Sequence, residues 1–103
     1  MSLRPPRTLV PGPADAIGLL ALDAELRAEK VAALDRSERA AKTALAVLRA
    51  VESPEDRVPA KLAAARAVHA FFIQRELMGF RRHGDVIEAF PIPREVLALV
   101  GAC

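Results

Sequence analysis

Residues 14–52, ADAIGLLALDAELRAEKVAALDRSERAAKTALAVLRAVE, contain one early glycine and no proline. One row of positions spaced by three and four reads Ile17, Leu20, Ala24, Arg27, Val31, Leu34, Glu38, Ala41, Leu45 and Leu48. A second row reads Leu19, Leu22, Leu26, Ala33, Ala40, Ala44, Val47 and Val51. That spacing is the period of an α-helix, and two adjacent apolar rows predict a broad buried face. Asp15 is placed to cap the start. Asp23 and Arg27, Asp35 and Arg39, and Glu38 and Lys42 stand acid-before-base at four-residue spacing, the order that supports a helix.

The length of this helix creates a mechanical problem. Unbroken from Asp15 to Val51, it would span roughly 55 Å at 1.5 Å per residue. A compact chain of about 100 residues has a radius of gyration near 13 Å, so such a rod overhangs its own globule. Either the helix breaks around Leu34 to Ser37, where Asp35 and Glu38 resemble a capping box, or a second chain covers the overhang. With no glycine or proline at that point, the expectation is a continuous helix and a homodimer paired through it.

Working outward, SPEDRVP at 53–59 is the clear interruption. Ser53-Pro54 stops the first helix, and Pro59 suits the first turn of a second, expected from about Val58 to Phe80 or Arg82. On it, Leu62, Ala65, His69, Phe72, Ile73, Glu76, Leu77 and Phe80 share the predicted buried stripe, with Val68 and Phe71 on its shoulder. Gly84 offers a left-handed cap. A short helix follows from Asp85 to Phe90, then the turn Pro91-Ile92-Pro93, then a last helix from Arg94 to Val100. Phe90, Ile92, Val96, Leu97 and Val100 are expected to pack on Phe71, Phe72 and Phe80. Residues 1–13, with four prolines, read as an extended arm, leaving 14–103 as one helical domain.

Composition agrees with an all-α class. The chain has 103 residues, 52% hydrophobic but only 4% aromatic, with no tryptophan or tyrosine. Alanine fillings suit close helix approach, and strand-like runs of β-branched and aromatic residues are missing. A net charge of +2, interspersed along helices, permits an acidic partner without arguing for one. No apolar run approaches a membrane span, and the N-terminus lacks the apolar region of a secretory signal. The single cysteine, Cys103, fits a reduced, cytoplasmic setting.

The chemistry-bearing residues gather in HAFFIQRELMGFRRHGDVIEAF, 69–90. His69, Glu76 and His83 recur every seven residues, nominally on one helix face. Seven residues rise roughly 10.5 Å, whereas zinc holds its ligands within about 2.3 Å, so one ion cannot collect all three. No metal and no cofactor are expected. Glu76, placed among Phe72, Ile73, Leu77 and Phe80, is expected to be partly desolvated and to need an arginine partner, Arg82 or Arg94. No second catalytic group accompanies it, so a small enzyme or ligand-binding domain around Glu76 and His69 ranks third and weakest. Arg75, Arg81, Arg82, His83 and Arg94 could form a basic face, and GDVIEAFPIPREVLALVG has the outline of helix, turn, helix. Its second helix carries only Arg94 and Glu95 as polar residues, however, so it is built for burial rather than for reading bases. Arginine–phosphate contacts without sequence readout remain as the alternative to a protein-interaction role.

The segment FFIQRELMGFRRHGDVIEAFPIPREVLALVG, 71–101, resembles a family of small uncharacterised bacterial proteins. The likeness lies in Phe71-Phe72, the triplet Gln74-Arg75-Glu76, the Gly79-x-Arg81-x-His83 turn and the run Ile92 to Leu97. A weaker echo occurs at Glu29-Lys30, and Pro91 stands where the family pattern leads one to expect glycine. The resemblance implies a fold of a few helices and a polar cluster of Gln74, Arg75, Glu76, Arg82, His83 and Arg94, to which the residues themselves add His69. It implies no chemistry. The expected protein is a non-enzymatic, homo-oligomerising interaction or adaptor module.

Overall fold

The computed structural model describes residues 13–102 and arranges them as four helices. These are α1 (Pro13–Ala50), α2 (Pro54–Leu77), α3 (Gly84–Ala89) and α4 (Arg94–Ala102). The fold is all-α, with no strand among the described residues. The extended arm expected over 1–13 lies outside the described residues except for Pro13, which already belongs to α1; Cys103 also lies outside them.

α1 runs unbroken for 38 residues. At the suspected break, Ser37 Oγ donates to the Leu34 carbonyl at 2.8 Å, bonding back into its own helix rather than capping a new one. Asp23–Arg27, Asp35–Arg39 and Glu38–Lys42 all form as ion pairs, at 2.9, 3.0 and 3.4 Å. Such exposed pairs contribute only about 0.3–0.5 kcal/mol each, enough to favour helix locally but not to hold a fold. The molecule measures 75 × 25 × 23 Å with a radius of gyration of 21.0 Å. The rod therefore overhangs: core burial begins near Ala32, and residues 13–31 are exposed apart from the half-buried Ala16.

The two rows on α1 are adjacent only in its second half. At about 100° per residue, Ile17 and Leu19 point roughly 200° apart, but the first row drifts around the helix and from Ala41 onward lies within roughly 100° of the second. The row of Leu34, Ala41, Leu45 and Leu48 meets α2, and the last three are buried. In this half the other row lies at the edge of the same interface: Ala44 and Val51 are half-buried against the core, while Val47 is about half exposed. The broad face expected from the sequence therefore holds in the covered half, and only in the projecting half do the rows become two narrow faces back to back.

α2 begins earlier than the prolines suggest. Ser53 is its N-cap, with its hydroxyl accepting from the Asp56 amide at 3.1 Å, and Pro54 occupies the first helical position. Pro59 consequently sits inside the helix rather than in its first turn. The helix also ends earlier. Gly79, at φ 97°, takes the left-handed position that Gly84 was expected to hold. The Phe80 amide donates to the Arg75 carbonyl and the Gly79 amide to the Glu76 carbonyl, both at 3.0 Å. This pair of bonds is the Schellman stop.

The buried face of α2 is rotated from the predicted stripe. Ala60, Ala64, Ala65, Val68, Phe71, Phe72 and Arg75 are buried, while Leu62, Ile73, Glu76, Leu77 and Phe80 are exposed. Small residues explain the choice: Ala41 on α1 with Ala60, Ala64 and Ala65 on α2 let the backbones approach, so the alanine face goes inward. Bulkier Leu62 and Ile73 are left outside. Beyond the turn the chain folds back across α1 and α2. Phe90 stacks on Phe71 at 5.7 Å between ring centroids, and Arg49 on α1 donates to the Phe90 carbonyl. Ile92 and Val96 are buried, with Leu97 and Val100 packed against the same core. α4 packs on α2, tied there by an Arg57–Glu95 ion pair. It continues through Gly101, past the stop expected there.

Candidate functional site

The polar cluster of the molecule is organised by Arg75, the one charged residue buried among the described residues. Because α2 buries positions 68, 71 and 72, the helical period carries the same face to 75 and turns 76 away. The Arg75 side chain is 9% exposed and that of Glu76 56% exposed, so the expected buried acid is a buried base instead.

The last turn of α2 and the segment after it surround the guanidinium. Its Nε donates to His83 Nδ1 at 3.1 Å, and its Nη2 donates to the Arg82 carbonyl and to Asp85 Oδ1, each at 3.2 Å. The Phe80 ring lies 4.6 Å from the guanidinium carbon and the Phe71 ring 5.8 Å. The Schellman turn therefore brings Phe80 back over the same residue whose carbonyl it bonds, and a cation–π contact fills the place of the usual apolar one. Asp85 balances the charge while itself 71% exposed, so water screens that pair and the fixed geometry comes mainly from the ring contacts and the hydrogen bonds.

His83 does not lie on the α2 face with His69 and Glu76, because the helix has already stopped. It folds back so that its ring stacks on Phe72 at 4.2 Å and 3°. With Nδ1 accepting from Arg75, a neutral ring carries its proton on Nε2. That atom is buried without a hydrogen-bond partner and lies 3.7 Å from Glu76 Oε2, beyond hydrogen-bond reach. So Glu76 and His83 come far closer than the helical rise predicts, while His69 remains half-buried one turn and more away on α2. No group of three His, Cys, Asp or Glu side chains suited to a metal occurs among the described residues.

The remaining candidates separate. Gln74 is half-buried beside Arg75 in sequence, and Arg82 contributes its carbonyl while its side chain is exposed. Arg94 is exposed at the start of α4, next to the Glu95 that reaches Arg57. Since Arg57 and Arg75 are 18 positions apart on α2, about 27 Å at helical rise, Arg94 belongs to the other end of the bundle. Neither Arg82 nor Arg94 pairs with Glu76. An open depression of about 610 Å³ lies over the cluster, lined by Arg75, Phe80, Arg81, Arg82 and Asp85 among others. Sequence reasoning missed Arg75 as the buried charge, although stepping from Val68 to Phe71, Phe72 and then Arg75 at helical spacing reaches it.

One family model matches residues 1–103, the whole chain. The chain belongs to DUF6665, a family of unknown function. No curated protein and no solved structure matches it. Membership agrees with the resemblance read from residues 71–101 and extends it over the full length. In this DUF6665 chain the motif residues Phe71, Phe72, Arg75, Gly79 and His83 build one corner: two rings, the guanidinium, the left-handed stop and the stacked imidazole. Their geometry accounts for a structural role. No helix among the described residues is long and apolar enough to cross a membrane.

Proposed function

We propose that this chain is a non-enzymatic self-association module in which a second copy covers the projecting half of α1. The observation that carries this reading is the exposure of Ile17 and Leu20, 68% and 70%, on a helix that stands free of its own globule. These residues, with Ala24 and Val31, continue the row that α2 covers farther along at Ala41, Leu45 and Leu48. α2 runs antiparallel to α1 and stops at Leu77. A partner's α1, also antiparallel, continues the cover where α2 leaves off. Centred on Ala24, this two-fold register sets Ile17 of one copy opposite Val31 of the other and Leu20 opposite Ala28. Ile17 then meets Val31, and Leu20 meets the small Ala28, in a self-complementary contact.

Light scattering after size exclusion tests the reading. The expected mass at tens of micromolar is twice the 11.1 kDa of the chain, and Leu20→Glu should halve it. A wild-type monomer at that concentration overturns the proposal.

A second reading has one observation in its favour: Arg81 and Arg82 are exposed beside Arg75 at the open depression. Contacts from these arginines to nucleic-acid phosphates would be salt-sensitive and independent of sequence. Titration of labelled duplex and single-stranded DNA at low and moderate salt tests it, and the absence of binding at low salt removes it.

A further inference from the structure

The projecting half of α1 carries a second apolar face that the proposed dimer leaves bare. Leu19, Leu22 and Leu26 are 57%, 52% and 54% exposed. At about 100° per residue they cluster within roughly 60° of one another, centred about half a turn from the Ile17, Leu20, Ala24 and Val31 row. A helix pair packed through one row points the other row directly away from its partner. We infer that Leu19, Leu22 and Leu26 form a second self-complementary contact, by which one dimer joins another copy of the dimer side by side. This inference rests on the dimer proposed above.

The occupant is argued from register and area. In an antiparallel pairing centred on Leu22 and Asp23, Leu19 of one copy lies opposite Leu26 of the other, and Leu22 beside Leu22. A row of three leucines thus finds its own complement without a different sequence. The flanks, Asp23 with its Arg27 partner and Lys30, carry both signs, so like charge does not bar the approach. Three half-exposed leucines offer on the order of 300 Å² per copy, or about 600 Å² across the contact, which places it among weak interfaces. The Ile17 row, with three exposed large side chains and alanines that allow closer approach, is the stronger of the two. Dimers should therefore form first and join later. Each dimer bears two such leucine faces on opposite sides, so the joining is open-ended.

The test is weight-average mass by light scattering and sedimentation, with wild type, Leu22→Glu and Leu20→Glu compared from about 10 µM to 500 µM, a range suited to weak contacts. The expected result is a wild-type mass that starts at the dimer and climbs without a plateau. Leu22→Glu should hold at the dimer throughout, with unchanged helix content by circular dichroism. Two results overturn the inference while leaving the dimer intact: a wild type fixed at the dimer over the whole range, or a Leu22→Glu chain that climbs as wild type does. A wild-type monomer overturns both proposals. A monomeric Leu22→Glu chain, with Leu20→Glu still dimeric, overturns the assignment of the faces by making the leucine row the primary interface.

Discussion

α1 presents one apolar row in two surroundings. From Leu34 to Leu48 the row is covered by α2, with Ala41, Leu45 and Leu48 buried; from Ile17 to Val31 the same spacing continues and the side chains stand in water. Local propensity does not separate the halves, because both are rich in alanine and leucine and both carry ion pairs at four-residue spacing. What separates them is length: α2 has 24 residues against 38 in α1 and cannot cover the whole helix. Periodicity establishes that a face will be apolar. Only the inventory of remaining elements shows whether the chain can cover it alone.

Truncating one leucine in each half tests that contrast most severely. Leu45→Ala should lower stability by about 3 kcal/mol, because it removes a fully buried side chain from a packed helix interface. For a chain of this size that lowers Tm by more than about 10 °C. Leu20→Ala, measured on dilute chain by urea denaturation, should change stability by no more than about 0.5 kcal/mol. Its effect should appear instead as a lost dependence of Tm on protein concentration. Equal losses in dilute solution would mean that the projecting half is already covered within one chain.

Arg75 sharpens the comparison at the other end of the covered region. Arg75→Ala should cost about 2–3 kcal/mol, since the ring contacts go and His83 Nδ1 and the Arg82 carbonyl lose their donor. Arg75→Lys should recover only part of that, because an ammonium cannot span three acceptors as the guanidinium fork does. Full recovery by lysine would show that charge alone matters at this corner.

Gly79→Ala should cost about 1–2 kcal/mol with an unchanged denaturant slope, because φ 97° strains an L-residue even where its Cβ meets open space. An unchanged midpoint would return the helix stop to Gly84.

The sequence made the helices legible and left their facing obscure. Continuity of α1, the overhang, and the burial of Ile92 and Val96 all followed from patterns of proline, glycine and apolar spacing. The boundaries of α2 did not. Pro54 looked like a terminator but serves as the first helical residue because Ser53 caps it. Gly84 looked like the stop, yet Gly79 precedes it and Phe80 closes the turn on Arg75. The facing of α2 was hidden because weighting residues by size favours Leu62, Ile73 and Leu77. The buried face instead sets Ala41, Ala60, Ala64 and Ala65 beside Leu45, Leu48, Val68, Phe71 and Phe72, so alanines fill positions that a reading by size gives to leucine and isoleucine. That one rotation moved the buried charge from Glu76 to Arg75. On α1 the two rows are neighbours from Ala41 onward, as their spacing suggests, and only in the projecting half does the angular arithmetic of the helix separate them.

The smallest expected effect tests that rotation directly. If the face predicted from residue size were the buried one, Glu76 would sit among Phe72, Ile73, Leu77 and Phe80, and its substitution would cost or gain several kcal/mol, as a desolvated charge does. In the structure its side chain is 56% exposed, and His83 Nε2 approaches it at 3.7 Å. Glu76→Gln keeps the shape and removes the charge, so stability at neutral pH should change by no more than about 0.5 kcal/mol in either direction. The same substitution should leave the association mass untouched, since Glu76 belongs to neither face of α1. Equilibrium urea unfolding with the wild type and Arg75→Ala run in parallel resolves the difference. A Glu76→Gln loss as large as that of Arg75→Ala would put the acid back in the core and turn α2 about its axis.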